Sequence, residues 1–359
     1  MSSKSPDQSG IETLSGVDGA FLNLETAATP MHVGSLHLFE TPAGYQGSFY
    51  AAVRRMMESR MVPVLRRRLA ALPLHLANPV WVQGEIDLDR HIRRVRIPAP
   101  GTWAQLEAVV ADLHAELLDR SRPLWMMLVF DGLAGGEQAY YFKIHHAMLD
   151  GQAGVALAGA LFDTSPEPAA RPKAARKSGA AARSAMPGTL ALAAAAFRHD
   201  AAQYIKLVRE LPGVVRTLAS LYGRSRVVDT LPVLANVLVS NVPGPPVPLY
   251  VDGLRMSGYW PLSIVEHGVG LNITLISYAG TLFLGFVVAR NAVPDARQLA
   301  DDFLAAFEEM KQHMQKPRKA APKTAAAKPA ASKAEVPLAQ PLSRKRARGA
   351  SRVAARLSR

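Results

Sequence analysis

His145-His146-Ala147-Met148-Leu149-Asp150-Gly151 follows a strand-like run, Gln138 to His145, and leads into an apolar helical run that reaches Phe162. A strand that empties into a helix through a short polar turn is a building unit of layered α/β proteins. Neighbouring residues of an extended strand project to opposite faces, so only one of His145 and His146 can enter a given cleft while the other packs behind it. Asp150, just ahead of Gly151 and the helix, is placed to cap that helix and also stands within reach of an imidazole. A histidine near its ordinary pKa of about 6.5 can accept a proton from an attacking hydroxyl at neutral pH and return it to a departing group, which suits acyl transfer. The structural alternative is a buried, hydrogen-bonded histidine pair with a capping aspartate. No metal site is expected, because neither a His-Glu-x-x-His pattern nor any cysteine accompanies the pair.

Working outward, Leu124 to Phe130 and Gln138 to His145 read as two strands joined by the loop Asp131 to Gly136. Further upstream, Thr102 and Gln105 form a capping box ahead of Leu106, Val109, Val110, Leu113 and Leu117, which predicts a helix running to about Asp119. Downstream, residues 164–188 are rich in Ala, Pro, Lys, Arg and Ser without apolar periodicity and read as a linker. Helical composition follows, with Pro212 as an interruption, and then strands at Leu234 to Ser240, Leu271 to Tyr278 and Leu282 to Val288, the last two joined at Gly280. Asp295 opens an amphipathic helix through Leu299, Phe303, Phe307 and Met310. The division expected is a first subdomain over 1–163, a linker over 164–188, a helical connection over 189–230, a second subdomain over 231–315 and a low-complexity basic tail over 316–359.

The chain has 359 residues, 49% of them apolar, enough for a sizeable core, and no cysteine. Disulfides, thiolate nucleophiles and thiolate metal sites are thereby excluded. Its net charge of +13 resembles a nucleic-acid signature until it is located. From Lys311 onward fourteen Lys and Arg face one acidic residue, Glu335, so the preceding body is neutral. A neutral body with a basic tail points to tethering on an anionic membrane or lipid-body surface, and no specific nucleic acid is expected. No apolar run is long enough to span a bilayer, and Met1 to Thr13 is polar and acidic, unlike a secretory signal, so a cytoplasmic protein at the periphery of the inner membrane or of lipid inclusions is expected. Gly-x-Ser-x-Gly, P-loop and Gly-x-Gly-x-x-Gly signatures are absent, which favours direct transfer over a covalent acyl-enzyme.

Several stretches together resemble the bacterial wax ester synthase/acyl-CoA:diacylglycerol acyltransferase family. They are Ser15 to Leu22, Pro30 to His32, Asp119 to Trp125 with its Pro-Leu-Trp, His145 to Gly151, Ser240 to Pro245 (Ser-Asn-Val-Pro-Gly-Pro), Pro248 to Tyr250, Leu271 to Ile273, and Ser277-Tyr278. The resemblance implies an α/β fold of the CoA-dependent acyltransferase type, as in chloramphenicol acetyltransferase and condensation domains, with two subdomains of mixed sheets and a crevice between them. It implies transfer of a fatty acyl group from acyl-CoA to diacylglycerol or a long-chain alcohol, with acyl-CoA as co-substrate and no resident cofactor. His146 matches the family's catalytic base, with His145 supportive, Asp150 holding the motif's geometry and Gly151 allowing a close turn. Ser240 and Asn241 are candidate donors to a developing oxyanion, their alternative being turn chemistry. Pro123, Leu124 and Trp125 read as a buried strand with a packed indole. Family members carry a long stretch before the Ser-Asn-Val-Pro-Gly-Pro turn that is missing here, where Arg224 to Thr230 leads almost directly into it. The second subdomain is therefore expected to be reduced, and a catalytically weak paralogue acting as a lipid- or lipid-body-binding protein is the alternative function.

Overall fold

A computed structural model of the chain describes residues 11–14, 16–70, 79–149, 151–167, 235–266 and 268–315. The proposed helical connection, the tail and all but the first four linker residues lie outside this set, as does Asp150. Contacts divide the chain into 1–305 and 306–359, a boundary inside the last described helix.

Among the described residues the strands are β1 (Ile11–Thr13), β2 (His32–Phe39), β3 (Arg67–Ala70), β4 (Val80–Gln83), β5 (Ile92–Arg96), β6 (Trp125–Asp131), β7 (Gln138–His145), β8 (Val237–Pro243), β9 (Tyr250–Val251), β10 (Leu254–Leu262), β11 (Leu271–Tyr278) and β12 (Thr281–Val288). The helices are α1 (Gly16–Leu24), α2 (Phe49–Arg60), α3 (Leu88–His91), α4 (Trp103–Ala115), α5 (Gly151–Leu161) and α6 (Ala296–Gln315). The central six-stranded sheet has the order β5-β6-β7-β2-β10-β9, parallel only between β5 and β6. Strands from both sides of residues 168–234 thus share one sheet: β10 pairs with β2, setting Tyr259 opposite His37 and Pro261 opposite Ser35. A second sheet, β12-β11-β8, is antiparallel at β11–β12 and parallel at β11–β8. The third, β1-β4-β3, is antiparallel throughout. Mixed sheets flanked by helices are the expected α/β class.

Alternation along β7 sorts its side chains between two cores. Tyr140, Phe142 and Ile144 join Phe39, Trp125 and Met127 on one face, with α2 and α5. Tyr141 joins Leu36, Leu38, Leu128 and Phe130 on the other, against Leu106 and Val110 of α4. The Thr102–Gln105 capping box is formed as predicted. The helix it opens stops at Ala115, four residues short of the expected end, and Leu117 is exposed. Tertiary hydrogen bonds explain the early stop, because they capture the last-turn carbonyls: Lys143 Nζ donates to Leu113 O and Glu116 O, both at 2.6 Å, and His32 Nε2 meets His114 O.

Two hairpins close with left-handed pairs. Ala279 and Gly280, with φ of 47° and 83°, join β11 to β12 at the predicted place. Asp252 and Gly253, with φ of 53° and 83°, join β9 to β10. The second sheet crosses closely over the first at Gly285, where an added Cβ would lie 1.6 Å from Pro261 O.

Candidate active site

The two histidines part as strand geometry requires. His145 ends β7 with no exposed surface; its Nδ1 accepts from Ala147 N at 3.1 Å, which leaves the ring proton on Nε2, 3.4 Å from Glu25 Oε1. His146 begins a single 3₁₀ turn, is half-buried and lines a cavity of about 210 Å³. Its ring stacks on Phe21 of α1 with centroids 4.1 Å apart.

The backbone of this turn is held by other stretches that carry the family resemblance. His145 N donates to Leu124 O and His146 N to Met31 O, each at 2.9 Å, so the Pro-Leu-Trp and Pro-Met-His segments fix successive residues of the motif. Trp125 is fully buried and donates from Nε1 to Leu65 O at 2.8 Å, a packing role as expected. Phe21, which stacks on His146, belongs to the Ser15 to Leu22 stretch. Four stretches far apart in sequence therefore meet at one turn.

Glu25, which no motif singled out, ties them together. Its side chain is 2% exposed, accepts from Met31 N at 3.3 Å and pairs with Arg120 at 2.8 Å. Burial alone would raise its carboxyl, but the neighbouring His145 and Arg120 outweigh that and hold it at about 2. Its only sequence signal is its place in the bend between α1 and β2.

The cavity beyond His146 is mainly apolar, bounded by Phe142 and Ile144 of β7, Leu157 and Leu161 of α5 and Ile276 of β11. Ser240 and Val242 of β8 line it, whereas Asn241 projects to the other side of β8 and is exposed. The structure thus brings His146 and Ser240 to one cleft and leaves Asn241 outside it. Ser240 and Asn241 lie inside β8, ahead of the turn, where Gly244 N donates to Ser277 Oγ at 3.2 Å and Leu249 N to Tyr278 Oη at 2.8 Å. Gly151 opens α5 immediately after the unassigned position of Asp150.

On the opposite face of the sheet His32, His114 and Lys143 form a buried polar cluster. Burial and neighbouring positive groups depress His32 to about 3, and burial depresses His114 to about 4 and Lys143 to about 8. His114 meets Tyr141 Oη at 2.5 Å and Ser263 O at 3.1 Å, tying α4 to the end of β10.

Comparison with known proteins places this architecture. The family described as wax ester synthase/diacylglycerol acyltransferase catalytic domain matches residues 14–243. A Mycobacterium tuberculosis protein named as a diacylglycerol O-acyltransferase is 27% identical over 443 aligned positions, which cover 82% of this chain and 98% of that protein. Since 82% of 359 residues fill 443 positions, roughly 150 positions of the relative face gaps. A second M. tuberculosis protein of the same description is 30% identical over 311 positions, covering 82% of this chain and 59% of its own length. The wax ester synthase/diacylglycerol acyltransferase of Marinobacter aquaeolei VT8 shares the fold, with a TM-score of 0.62, 23% identity and coverage of 84% of this chain and 99% of its own. The chain belongs to the wax ester synthase/diacylglycerol acyltransferase family of O-acyltransferases.

Proposed function

We propose that the protein transfers a fatty acyl group from acyl-CoA to diacylglycerol or a long-chain alcohol, with His146 as general base. The observation that carries this reading is the separation of the pair: His145 is sealed behind the sheet, while His146 stands at the edge of an apolar cavity. At about 10–15 Å³ per water-sized group, 210 Å³ accepts roughly 14–20 such groups, the scale of a fatty chain and far more than an acetyl group needs.

In the proposed step the imidazole of His146 takes the proton of the acceptor hydroxyl as its oxygen attacks the thioester carbonyl. The tetrahedral intermediate then expels the CoA thiolate, which receives that proton, giving one ester and one free CoA thiol. Ser240 is the proposed donor to the oxyanion, Asp150 and Gly151 shape the motif, and His145 supports it; Asn241 has no part in the step. Acyl-CoA is a co-substrate, and no resident cofactor is invoked. The basic residues after Gln315 are proposed to hold the protein at an anionic membrane or lipid-body surface where its acceptors reside. Among the described residues no helix is long and apolar enough to cross a membrane.

The alternative, a catalytically weak paralogue that binds lipid or lipid bodies, is favoured by one observation: Val237, Leu238 and Val239 of β8 are exposed. Incubating the purified chain with palmitoyl-CoA and either hexadecanol or diacylglycerol separates the two. Ester and free CoA in equal amounts support transfer; acyl-chain binding without either product supports the paralogue.

A further inference from the structure

The cavity that begins at His146 ends among polar groups that no step of acyl transfer uses. His37 of β2 is 3% exposed, and its Nε2 lies 2.7 Å from Ser35 Oγ while its Nδ1 lies 3.5 Å from Met256 Sδ. Its ring sits between Tyr140 and Tyr259, with centroids 4.8 and 4.4 Å away. All four residues, Ser35, His37, Tyr140 and Tyr259, line the same cavity as His146. Tyr140 and Tyr259 are only 1% and 8% exposed. The Ser35 hydroxyl has a valence to spare whichever way its proton points toward His37.

A cavity meant only for a saturated chain has no use for three hydroxyls and an imidazole in its lining. Leaving such groups unpaired against methylenes is costly, whereas a ligand that satisfies them is selected over one that does not. The cluster is also electrically neutral. Burial holds His37 at about 3, so its ring is uncharged, and raises both tyrosines, so they stay protonated. Neutral donors and acceptors suit an alcohol better than a carboxylate.

Register gives the distance. His32 pairs with His145 and His37 with Tyr140, so the far side of the cluster lies five strand positions from the catalytic turn, about 17 Å at 3.3–3.4 Å per residue, with Ser35 two positions nearer. An extended sixteen-carbon chain, with C–C bonds of about 1.5 Å, spans about 19 Å. A thioester held at His146 therefore brings the far end of such a chain to Ser35, His37, Tyr140 and Tyr259.

We infer that this cavity is built for an acyl chain bearing a hydroxyl at or near its distal end, held by Ser35, His37, Tyr140 and Tyr259. The inference rests on reading the cavity as the acyl site, but its test needs no turnover. Calorimetry on the full chain with ω-hydroxypalmitoyl-CoA and with palmitoyl-CoA should give a lower Kd for the hydroxylated chain, by roughly tenfold. Tyr259→Phe and Ser35→Ala should each shrink that ratio toward one. Equal affinities in the wild type mean that the cluster holds only water, and the inference falls. Absence of binding by either thioester overturns both the inference and the acyl-site reading. A hydroxyl preference without ester formation keeps the inference and removes the transfer reading alone.

Discussion

The six-stranded sheet and the three-stranded sheet are built to different degrees of completeness. Around β7 and β2 the large side chains are buried on both faces and the polar groups are mostly paired, so the histidine turn is held from four directions. Among the described residues the three-stranded sheet ends at β8, whose Val237, Leu238 and Val239 are 42%, 42% and 65% exposed, and Leu282 of β12 is 58% exposed. An apolar edge strand open to solvent is a surface natural proteins normally cover or blunt. Rigid construction thus gathers where proton transfer is proposed, and the wall of the cavity formed by β8 is the more open.

Acid should expose this contrast most strongly. His32, His37 and His114 all belong to the six-stranded sheet and its helix, and burial lowers each of them to about 3 or 4. Their unfolded forms bind protons below about 6.5 while the folded forms do not, so stability is present above that pH and is lost as pH falls through the window from 6.5 toward 3, by several kcal/mol in all. Urea midpoints measured from pH 7 to pH 4 should fall steeply, and His37→Phe should flatten the slope; a midpoint indifferent to pH in this range contradicts the buried neutral imidazoles. Trp125→Ala, which opens a cavity under the histidine motif and orphans Leu65 O, should cost about 3–5 kcal/mol by chemical denaturation. Glu25→Gln should cost about 1–3 kcal/mol at neutral pH. Because the carboxyl is depressed, that cost is present above pH 4.5 and disappears as pH falls toward 2, so mutant and wild type should converge in acid. Smallest of all, Val239→Lys on the exposed edge should shift stability by no more than about 0.5 kcal/mol while reducing self-association, read by light scattering. A large loss there means that something covers β8 after all.

Much of the first region was legible in the sequence. Local chemistry specified the Thr102–Gln105 box, the strand bounds of β7 and β11 and the hairpin at Gly280, because each depends on residues a few positions apart. The opposed facing of His145 and His146 followed from strand alternation alone. What escaped reading depends on distant partners. β10 carries Gly258 and Pro261, which read as strand breakers, yet it is held in register by β2 some 220 residues away. Asp252-Gly253 before it is the one local signal for this strand, a left-handed pair that suits a tight hairpin. The early end of α4 came from Lys143 and His32, which no helical pattern contains. Glu25 gives no signal until the chain folds it onto Arg120 and His145, and the Ser35–His37 pair becomes meaningful only when Tyr140 and Tyr259 arrive from two other strands.

The central claim is that His146, and not its neighbour, moves the proton. The most direct measurement is the rate of ester formation from palmitoyl-CoA and hexadecanol by His146→Ala beside the wild type, at matched thermal stability. General-base catalysis predicts a loss of about 10²–10⁴-fold in kcat with little change in KM. A variant that stays folded and keeps the wild-type rate contradicts the account.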